Sequence, residues 1–389
     1  MNTRKNVVLT GGRAPATLEL ARLMNQAGHR VVVAESSRHH LCKGSRAVSR
    51  CYPVPPPRQQ PDAYIRSLMR IMEQEKSDLL IPTCEEIFHV SHGLDRLGCV
   101  GRVLAEGIES LRPLHDKWMF GKLASEAGAT VPRTIWAETE EQMREALKNA
   151  SGPLVLKPVY SRFASRVRIE QDPASAAKGA LPAISRQQPW LVQEFIRGRQ
   201  LCSYAVAHQG QLALYADYET IHTAGKGASI FFSYANHPGV REFVSRFVKL
   251  RGISGQVAFD FIEDKAGRLY VLECNPRLTS GIHLFSGQPE AAEAFFGESG
   301  EVVVPRGNRS FMLGLAMVGF GLPAVRNAAE GRRWLRDFRR SRDVVWHSSD
   351  PLPFFQQARM LADLAMMSFR TGMSMAECST SDIEWNGEE

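Results

Sequence analysis

A chain of 389 residues with 44% hydrophobic and 23% charged residues is long enough for two or three domains and too apolar to be disordered. Its 48 Lys and Arg residues outnumber its 41 Asp and Glu residues, and the net charge of +7 favours anionic ligands without separating nucleotides from nucleic acid. The odd number of cysteines, 7, argues against a disulfide framework, and the absence of an apolar leader or a bilayer-length apolar run favours a cytoplasmic protein.

The first part of the chain alternates buried strands with amphipathic helices. Strands are predicted at 7–12, 31–34 and 79–82, and helices at Pro15–Ala27 and Asp62–Lys76. Continuously apolar strands separated by helices are typical of a parallel sheet covered on both faces. We therefore predict a doubly wound α/β domain over residues 1–113, with Tyr52–Pro57 as a stiff extended crossover.

The first predicted strand ends in Leu9-Thr10-Gly11-Gly12-Arg13, which begins like a dinucleotide-binding turn. No glycine follows between Arg13 and Thr17, so the Gly-x-Gly-x-x-Gly fingerprint is incomplete. A glycine turn before a helix can bind an anion, or it can simply allow close packing. The incomplete fingerprint argues against a nicotinamide oxidoreductase.

From Trp118 onward the pattern changes to helices followed by short alternating strands. Helices are predicted at Trp118–Gly128 and Thr139–Lys148, and strands at 154–157, 191–195, 201–207, 212–218, 257–262 and 269–274. This pattern indicates helices packed on antiparallel sheets, a different architecture from the first domain. The last ~90 residues are predicted to be mainly helical.

The segment 257–277 carries the strongest chemical pattern, because two strands flank a short polar turn at 264–267. A four-residue loop would place Glu263 opposite Arg268 and Asp260 opposite Val271. Asp260 and Glu273 would then project from one face as diagonal neighbours, about 7–8 Å apart.

Asn275 follows Glu273 by two residues and therefore shares its face of the hairpin. Two carboxylates and an amide oxygen are hard ligands that suit Mg²⁺, with Mn²⁺ as an alternative. A solvated hairpin face is the competing interpretation, but both acids stand in strongly apolar strands, where an acid needs a partner. We predict a metal site formed by Asp260, Glu273 and Asn275.

The hairpin resembles the metal-binding motif of the ATP-grasp superfamily, and three other segments stand in that family's order. Asp116-Lys117 and Val155-Leu156-Lys157-Pro158 resemble its two nucleotide lysines, and Val192–Ile196 resembles its hinge between lobes. The resemblance covers about 114–284 and is of the carboxylate–amine ligase type, with the ATP-binding fold of carbamoyl-phosphate synthase and biotin carboxylase.

The resemblance implies a fold of four parts. An N-terminal Rossmann-like domain at 1–113 precedes a two-lobed ATP-grasp fold with lobes at 114–190 and 191–300, and a mainly helical region at 301–389 follows.

It also implies the nucleotide contacts, which are Lys117 and Lys157 for the phosphates and Glu194, Phe195 and Ile196 for adenine. Two segments depart from the family pattern. The flap at 160–166 lacks glycine, which leaves the hydroxyls of Ser161 and Ser165 as phosphate ligands. Gln200 stands where relatives have an acid near the ribose, a contact that an amide can also make.

The implied reaction is ligation through an acyl phosphate, formed from ATP and a substrate carboxylate and then captured by an amine or another nucleophile. Arg277 is the expected contact for the phosphoryl group or the carboxylate, with a structural ion pair as its alternative role. Lys226, in the glycine-containing loop 222–229, is expected to contact phosphate or substrate unless that loop is a plain connection.

Two further residues are candidate substrate contacts. Glu85 follows the strand at 79–82, at the sheet edge where open α/β sheets bind ligands, and helix capping is its alternative role. His283 lies just past Arg277 and either lines the acceptor pocket or is a packed core histidine.

The basic run 332–340 contains Trp334, Leu335 and Phe338 at helical spacing, which favours the buried stripe of an amphipathic helix over a nucleic-acid site. The expected partners are therefore a small carboxylic acid and an amine or other nucleophile, with no nucleic acid or membrane, and a homodimer is possible. The alternative, motivated by the glycine-free flap, is an ATP-binding protein with degenerate or regulatory function.

Overall fold

The computed structural model describes residues 4–160, 166–225, 228–297, 300–307 and 309–387. Its first part is a parallel sheet between two layers of helices. The strands are β1 (Asn6–Thr10), β2 (Arg30–Glu35), β3 (Arg50–Pro53) and β4 (Leu79–Ile81). The helices are α1 (Pro15–Gln26), α2 (Pro61–Glu75), α3 (Ile87–His92), α4 (Leu94–Gly98) and α5 (Ile108–His115). The strand order is β3-β2-β1-β4, and every pairing is parallel.

Alternate residues of the central strands pack on opposite layers. Val7 and Val31 join the cluster that includes Leu20 of α1, whereas Val8 joins the cluster that includes Leu68 of α2. The strands are continuously apolar because both faces are covered. The doubly wound α/β prediction is confirmed.

The predicted crossover at Tyr52–Pro57 begins inside a strand, because β3 extends the sheet through Pro53. Proline has no backbone N–H to donate, and strands tolerate it at an edge such as this one. Because prolines are uncommon in strands, the proline-rich sequence did not predict β3.

The first lobe of the middle region is a four-stranded antiparallel sheet with the order β5-β8-β6-β7. Its elements are α6 (Lys117–Glu126), β5 (Thr134–Ala137), α7 (Glu140–Lys148), β6 (Leu154–Pro158), β7 (Arg168–Glu170), α8 (Pro173–Ala176) and β8 (Trp190–Glu194). Helix α7 begins at a capping box formed by Thr139 and Gln142 and packs Met143 and Leu147 on the sheet.

The second lobe is built on a seven-stranded sheet with the order β15-β14-β9-β10-β13-β16-β17. Its elements are β9 (Gly198–His208), β10 (Gln211–Thr220), the separate pair β11 (Thr223–Ala224) and β12 (Ala228–Ser229), β13 (Phe231–Tyr234), α9 (Pro238–Arg251), β14 (Gly255–Asp264), β15 (Leu269–Asn275), β16 (Ser310–Met312) and β17 (Arg342–Asp343). Side chains of β9 alternate between two cores: Ala205 packs with α6 and α9, and Tyr204 packs with α1.

The C-terminal region contains α10 (Gly314–Ala316), α11 (Ala328–Arg340), α12 (Leu352–Thr371) and α13 (Met375–Cys378). After β17 the chain returns to the first domain, where Arg22 Nε lies 3.0 Å from Asp350 Oδ2 and Arg13 Nη1 lies 2.6 Å from Asp382 Oδ1. The Trp385 ring stacks on Phe88 with centroids 4.9 Å apart. The mainly helical tail therefore closes back onto the N-terminal sheet.

The predicted stripe on α11 is only partly correct. Trp334 and Phe338 stack on each other with centroids 5.0 Å apart and pack over Phe231 and Met317. Leu335 is 41% exposed, because a surface helix buries only a narrow stripe. Across the part of the chain that the structure describes, no helix has both the length and the apolarity needed to cross a membrane.

Candidate active site

The β14–β15 hairpin places its two acids closer together than the sequence predicted. The turn is shorter than four residues, with Asp264 N donating to Arg268 O at 3.0 Å and Gly267 at φ +78. A bulge between Asp260 and Phe261 then shifts the register again, so that Asp260 lies directly opposite Glu273. The predicted pairing of Asp260 with Val271 was wrong, because turn and bulge each add one residue to the register.

Asn275 lies on the same face of the hairpin as both acids, and its Nδ2 donates to Asp260 Oδ2 at 3.4 Å. Burial raises the pKa of Asp260, and the charge of Glu273 raises it further. Burial also opposes ionisation of Glu273, but Lys117 and Lys157 hold the pKa of that carboxyl below its usual value. Two carboxylates that face each other in a buried position can both be ionised only if positive charge lies nearby.

Lys117 and Lys157 supply that charge from two different elements. Lys117 is the first residue of α6, whose N-cap Asp116 accepts hydrogen bonds from Trp118 N and Met119 N, both at 2.9 Å. Lys117 Nζ lies 3.5 Å from Glu273 Oε2.

Lys157 lies near the end of β6 with 6% of its surface exposed. Burial, with the positive charge of Lys117, lowers the pKa of Lys157 to about 8, while Glu273 and Asp260 oppose the shift. The two predicted nucleotide lysines therefore converge on the predicted metal ligands.

The structure does not place the Glu194 carboxylate on the face of the small sheet that carries Lys157. In the β6–β8 ladder Lys157 is opposite Leu191 and Leu154 is opposite Glu194, so Glu194 and Lys157 point to opposite faces. Glu194 Oε2 instead accepts a hydrogen bond from Arg133 N at 3.2 Å.

Gln193, the neighbour of Glu194, lies on the other face of β8. It shares the face of Lys157, is 8% exposed, and its Nε2 donates to Thr134 Oγ1 at 2.9 Å. The alternation of β8 was visible in the sequence, but its register against β6 was not. Sequence reasoning therefore did not single out Gln193, which lies on the same face of the sheet as Lys157.

Three of the other predicted nucleotide contacts lie within the described part of the chain. Phe195 N donates to Pro153 O at 3.1 Å, and Ile196 is buried with 9% exposed. Gln200 lies opposite Ile262 and so shares the face of Asp260 at the exposed rim of the large sheet. Ser161, Ser165 and Lys226 lie outside the described residues.

Arg277 joins the hairpin to the first domain. Its Nη2 lies 3.3 Å from Asn275 Oδ1 and 3.7 Å from Glu85 Oε1. The neighbouring Glu86, not Glu85, holds the turn after β4, since Glu86 Oε1 accepts from Thr83 N at 3.0 Å and Cys84 N at 2.9 Å. Glu86 is also the N-cap residue of α3, but its side chain makes no cap hydrogen bond and holds the preceding turn instead.

His283 is a packed residue at the edge of a cavity. It is 1% exposed, its ring stacks on Phe232 with centroids 5.6 Å apart, and its Nδ1 lies 3.6 Å from Glu19 Oε2. The cavity encloses about 890 Å³, and both His283 and Arg277 line it. Helix α12 forms a wall of this cavity, a role that the sequence reasoning left unassigned.

The glycine turn after β1 serves close packing. A Cβ on Gly11, which has φ +66, would lie 2.6 Å from Thr83 Oγ1 and 2.8 Å from Cys84 Sγ. Arg13 in the same turn donates to Asp382 and also pairs with Glu35 at the end of β2, with Nη2 2.5 Å from Glu35 Oε1. An internal ion-pair network therefore occupies both the arginine and the acid at this sheet edge.

Residues 114–281 match the family model of the ATP-grasp domain, so this segment carries the domain that the order of the motifs predicted. Among curated proteins it is 26% identical over 235 residues to the carbamoyl phosphate synthase large chain of Thermoanaerobacter sp. (strain X514), a match covering 57% of this chain and 22% of that protein. The chain thus spans about a fifth of that relative's length.

Solved structures extend the likeness beyond the family segment. N5-carboxyaminoimidazole synthetase from Staphylococcus aureus complexed with ADP superposes with a TM-score of 0.65 at 14% identity, covering 83% of this chain and 86% of that one. An L-amino acid ligase from Bacillus licheniformis gives 0.59 at 16% identity, covering 80% and 79%. Because these structures cover about four fifths of the chain, the shared fold extends beyond residues 114–281.

Proposed function

We propose that the protein is an ATP-dependent ligase that converts a substrate carboxylate into an acyl phosphate and joins it to an amine or another nucleophile, such as a thiol. The observation that carries this proposal is the convergence of Lys117 and Lys157 on the Asp260–Glu273 pair, beside a cavity that Arg277 also lines. The lysines that would bind phosphate therefore lie next to a cavity large enough for a substrate.

The hairpin fits a divalent cation. Asp260, Glu273 and Asn275 lie on one face of the hairpin, and burial together with the charge of Glu273 raises the pKa of Asp260, so the two lysines leave part of the carboxylate charge unneutralised. These residues would hold Mg²⁺ or Mn²⁺, which when bound would neutralise charge on the phosphate oxygens of ATP.

The two lysines would bind the phosphates from the opposite side. Lys117 lies at the N-terminus of α6 and Lys157 near the end of β6, so each is held by its own element. Gln193 and Gln200 would face the rest of the nucleotide, because each shares a sheet face with a phosphate-binding or metal-binding residue.

The chemistry divides into two transfers. A carboxylate oxygen held by Arg277 attacks the γ-phosphorus of ATP, the bond to the bridging oxygen breaks, and ADP leaves. The nucleophile then attacks the acyl carbon, phosphate leaves with the former carboxylate oxygen, and an amine loses one proton. Lys117, Lys157 and Arg277 stabilise the negative charge that moves between these atoms.

The names of the similar proteins agree with this reaction class, since they describe a synthase, a synthetase and a ligase. We assign the first-domain role to 1–113, the two ATP-grasp lobes to 114–190 and 191–300, and a cavity-closing role to 301–389. We further infer a cytoplasmic protein that acts on small molecules rather than on nucleic acid or membranes, with a homodimer as the expected assembly.

The direct test measures release of ADP from ATP and Mg²⁺ in the presence of a panel of carboxylic acids and amines. We expect release that requires both an acid and a metal ion. Saturable ATP binding without release for any acid would instead favour the alternative, a nucleotide-binding protein with regulatory function.

A further inference from the structure

We propose that the cavity beside Arg277 binds a carboxylic acid with an extended apolar body, and that helix α12 supplies the apolar wall that selects it. The proposal names the substrate class of the ligase and rests on the proposed function for the reaction, although binding itself does not require turnover.

The size of the cavity excludes a good fit for a very small acid. At about 890 Å³ it lies within the range of ~300–1,000 Å³ that holds drug-sized ligands. A one-carbon acid would leave most of this space to water, of which each molecule takes about 30 Å³. A substrate that fills the cavity has on the order of ten or more non-hydrogen atoms.

One stripe of α12 faces this space. Met360, Leu364, Met367 and Thr371 line the cavity and follow each other at helical spacing. Methionine side chains are flexible and polarizable, so they pack against ligands of varied shape. Leu278 and Leu313 line the cavity from other segments, so the apolar lining does not depend on α12 alone.

The cavity stripe of α12 is only partly packed within the protein: Met360 packs against the core, whereas Leu364 is half-buried and Met367 is 41% exposed. Within Leu352–Thr371, all of which the structure describes, Pro353 alone is buried. The helix is bracketed instead by two ion pairs that tie Asp350 to Arg22 and Asp382 to Arg13. These contacts hold α12 over the cavity while leaving its apolar side chains available to a ligand.

Charge within the cavity orients the ligand. Arg13 is committed to Glu35 and Asp382, and Asp363 on α12 lies 2.5 Å from His39 Nδ1. Arg38 and Arg370 also line the cavity, but Arg277 is the lining arginine that contacts Asn275, so a carboxylate bound to it lies beside the proposed metal and phosphate positions. The apolar body of the acid then extends toward α12.

The test is calorimetric titration of the full chain with acetate, butanoate, hexanoate and octanoate, in the presence of Mg²⁺ and a non-hydrolysable ATP analogue. Because each buried methylene contributes a roughly constant free energy, we expect Kd to fall about three- to fourfold per added methylene. Leu364→Gln should flatten this dependence. Leu361→Gln is the matched control, because Leu361 stands on the same helix, is 42% exposed and does not line the cavity.

A Kd that is independent of chain length would overturn the proposal, as would equal effects of the two leucine variants. Amines of the same lengths form the second arm, and chain-length dependence confined to amines would overturn the assignment to an acid. Turnover of short acids without chain-length dependence would contradict the apolar site but leave the ligase function intact. Chain-length-dependent binding without ADP release would support the apolar site but contradict the ligase function.

Discussion

At the scale of single residues, the site balances two buried carboxylates against two buried lysines. An isolated buried charge is costly, and Asp260, Glu273, Lys117 and Lys157 reduce that cost for one another. The balance is incomplete, because the pKa values of Asp260 and Lys157 are both shifted toward their neutral forms. A bound cation would neutralise the carboxylates, and a bound polyphosphate would neutralise the lysines.

Asp260→Asn and Glu273→Gln are predicted to lower metal-dependent ADP release by at least about 100-fold, because an amide cannot replace a charged metal ligand. Glu263→Gln is the matched control on the same strand, since Glu263 pairs with Arg199 and His237 rather than with the site. Steady-state ADP release measures the effect. Full activity in either site variant would rule out the metal assignment.

The pH dependence of nucleotide binding is predicted from Lys157. Because its pKa is about 8 in the free protein and an anion favours the protonated form, ADP affinity should fall as pH rises above 8, by up to about tenfold per pH unit. Lys157→Arg should remove this dependence, since arginine stays charged. Titration of ADP at pH 7, 8 and 9 in EDTA measures it, and identical slopes for parent and variant would contradict the prediction.

Residue types and alternation were sufficient to predict that Asp260, Glu273, Asn275 and the two lysines lie together. They were not sufficient for Glu194, because which face a strand residue occupies depends on register against another strand. That register is set by connections and packing far along the chain, which local patterns do not record.

At the scale of secondary-structure elements, the hairpin and the C-terminal segment show that local sequence patterns predict elements but not their long-range pairing. The β14–β15 hairpin was predicted, but its bulge was not, because a bulge carries no obligatory residue type. The helices of the tail were predicted, but their return to α1 was not. Arg22 and Asp350 are separated by more than 300 residues, and nothing local pairs them.

Asp350→Asn is predicted to destabilise the protein by about 3 kcal/mol, because it leaves the buried Arg22 without its charge partner. Asp350 also accepts hydrogen bonds from Ser45 Oγ at 2.7 Å and Arg46 N at 2.9 Å. Urea unfolding measures the loss. Glu242→Gln is the control from an exposed pair with Arg246 and should cost less than about 0.5 kcal/mol; similar losses in both variants would show that Asp350 has no special role.

At the scale of the whole molecule, three separate parts of the chain meet at one cavity. The first domain contributes Glu85, the segment after the β14–β15 hairpin contributes Arg277, and the tail contributes α12. The class of fold could be predicted from the order of the motifs, whereas the cavity could not, because its walls come together only through long-range packing.

The reaction itself is tested most directly by the fate of oxygen. If a carboxylate labelled with ¹⁸O attacks ATP, the inorganic phosphate released after capture by the nucleophile must contain one ¹⁸O from that carboxylate. Mass spectrometry of the phosphate, with an acid that supports ADP release, is the measurement. We predict one labelled oxygen per phosphate; unlabelled phosphate, showing that water attacked ATP, would contradict ligation through an acyl phosphate.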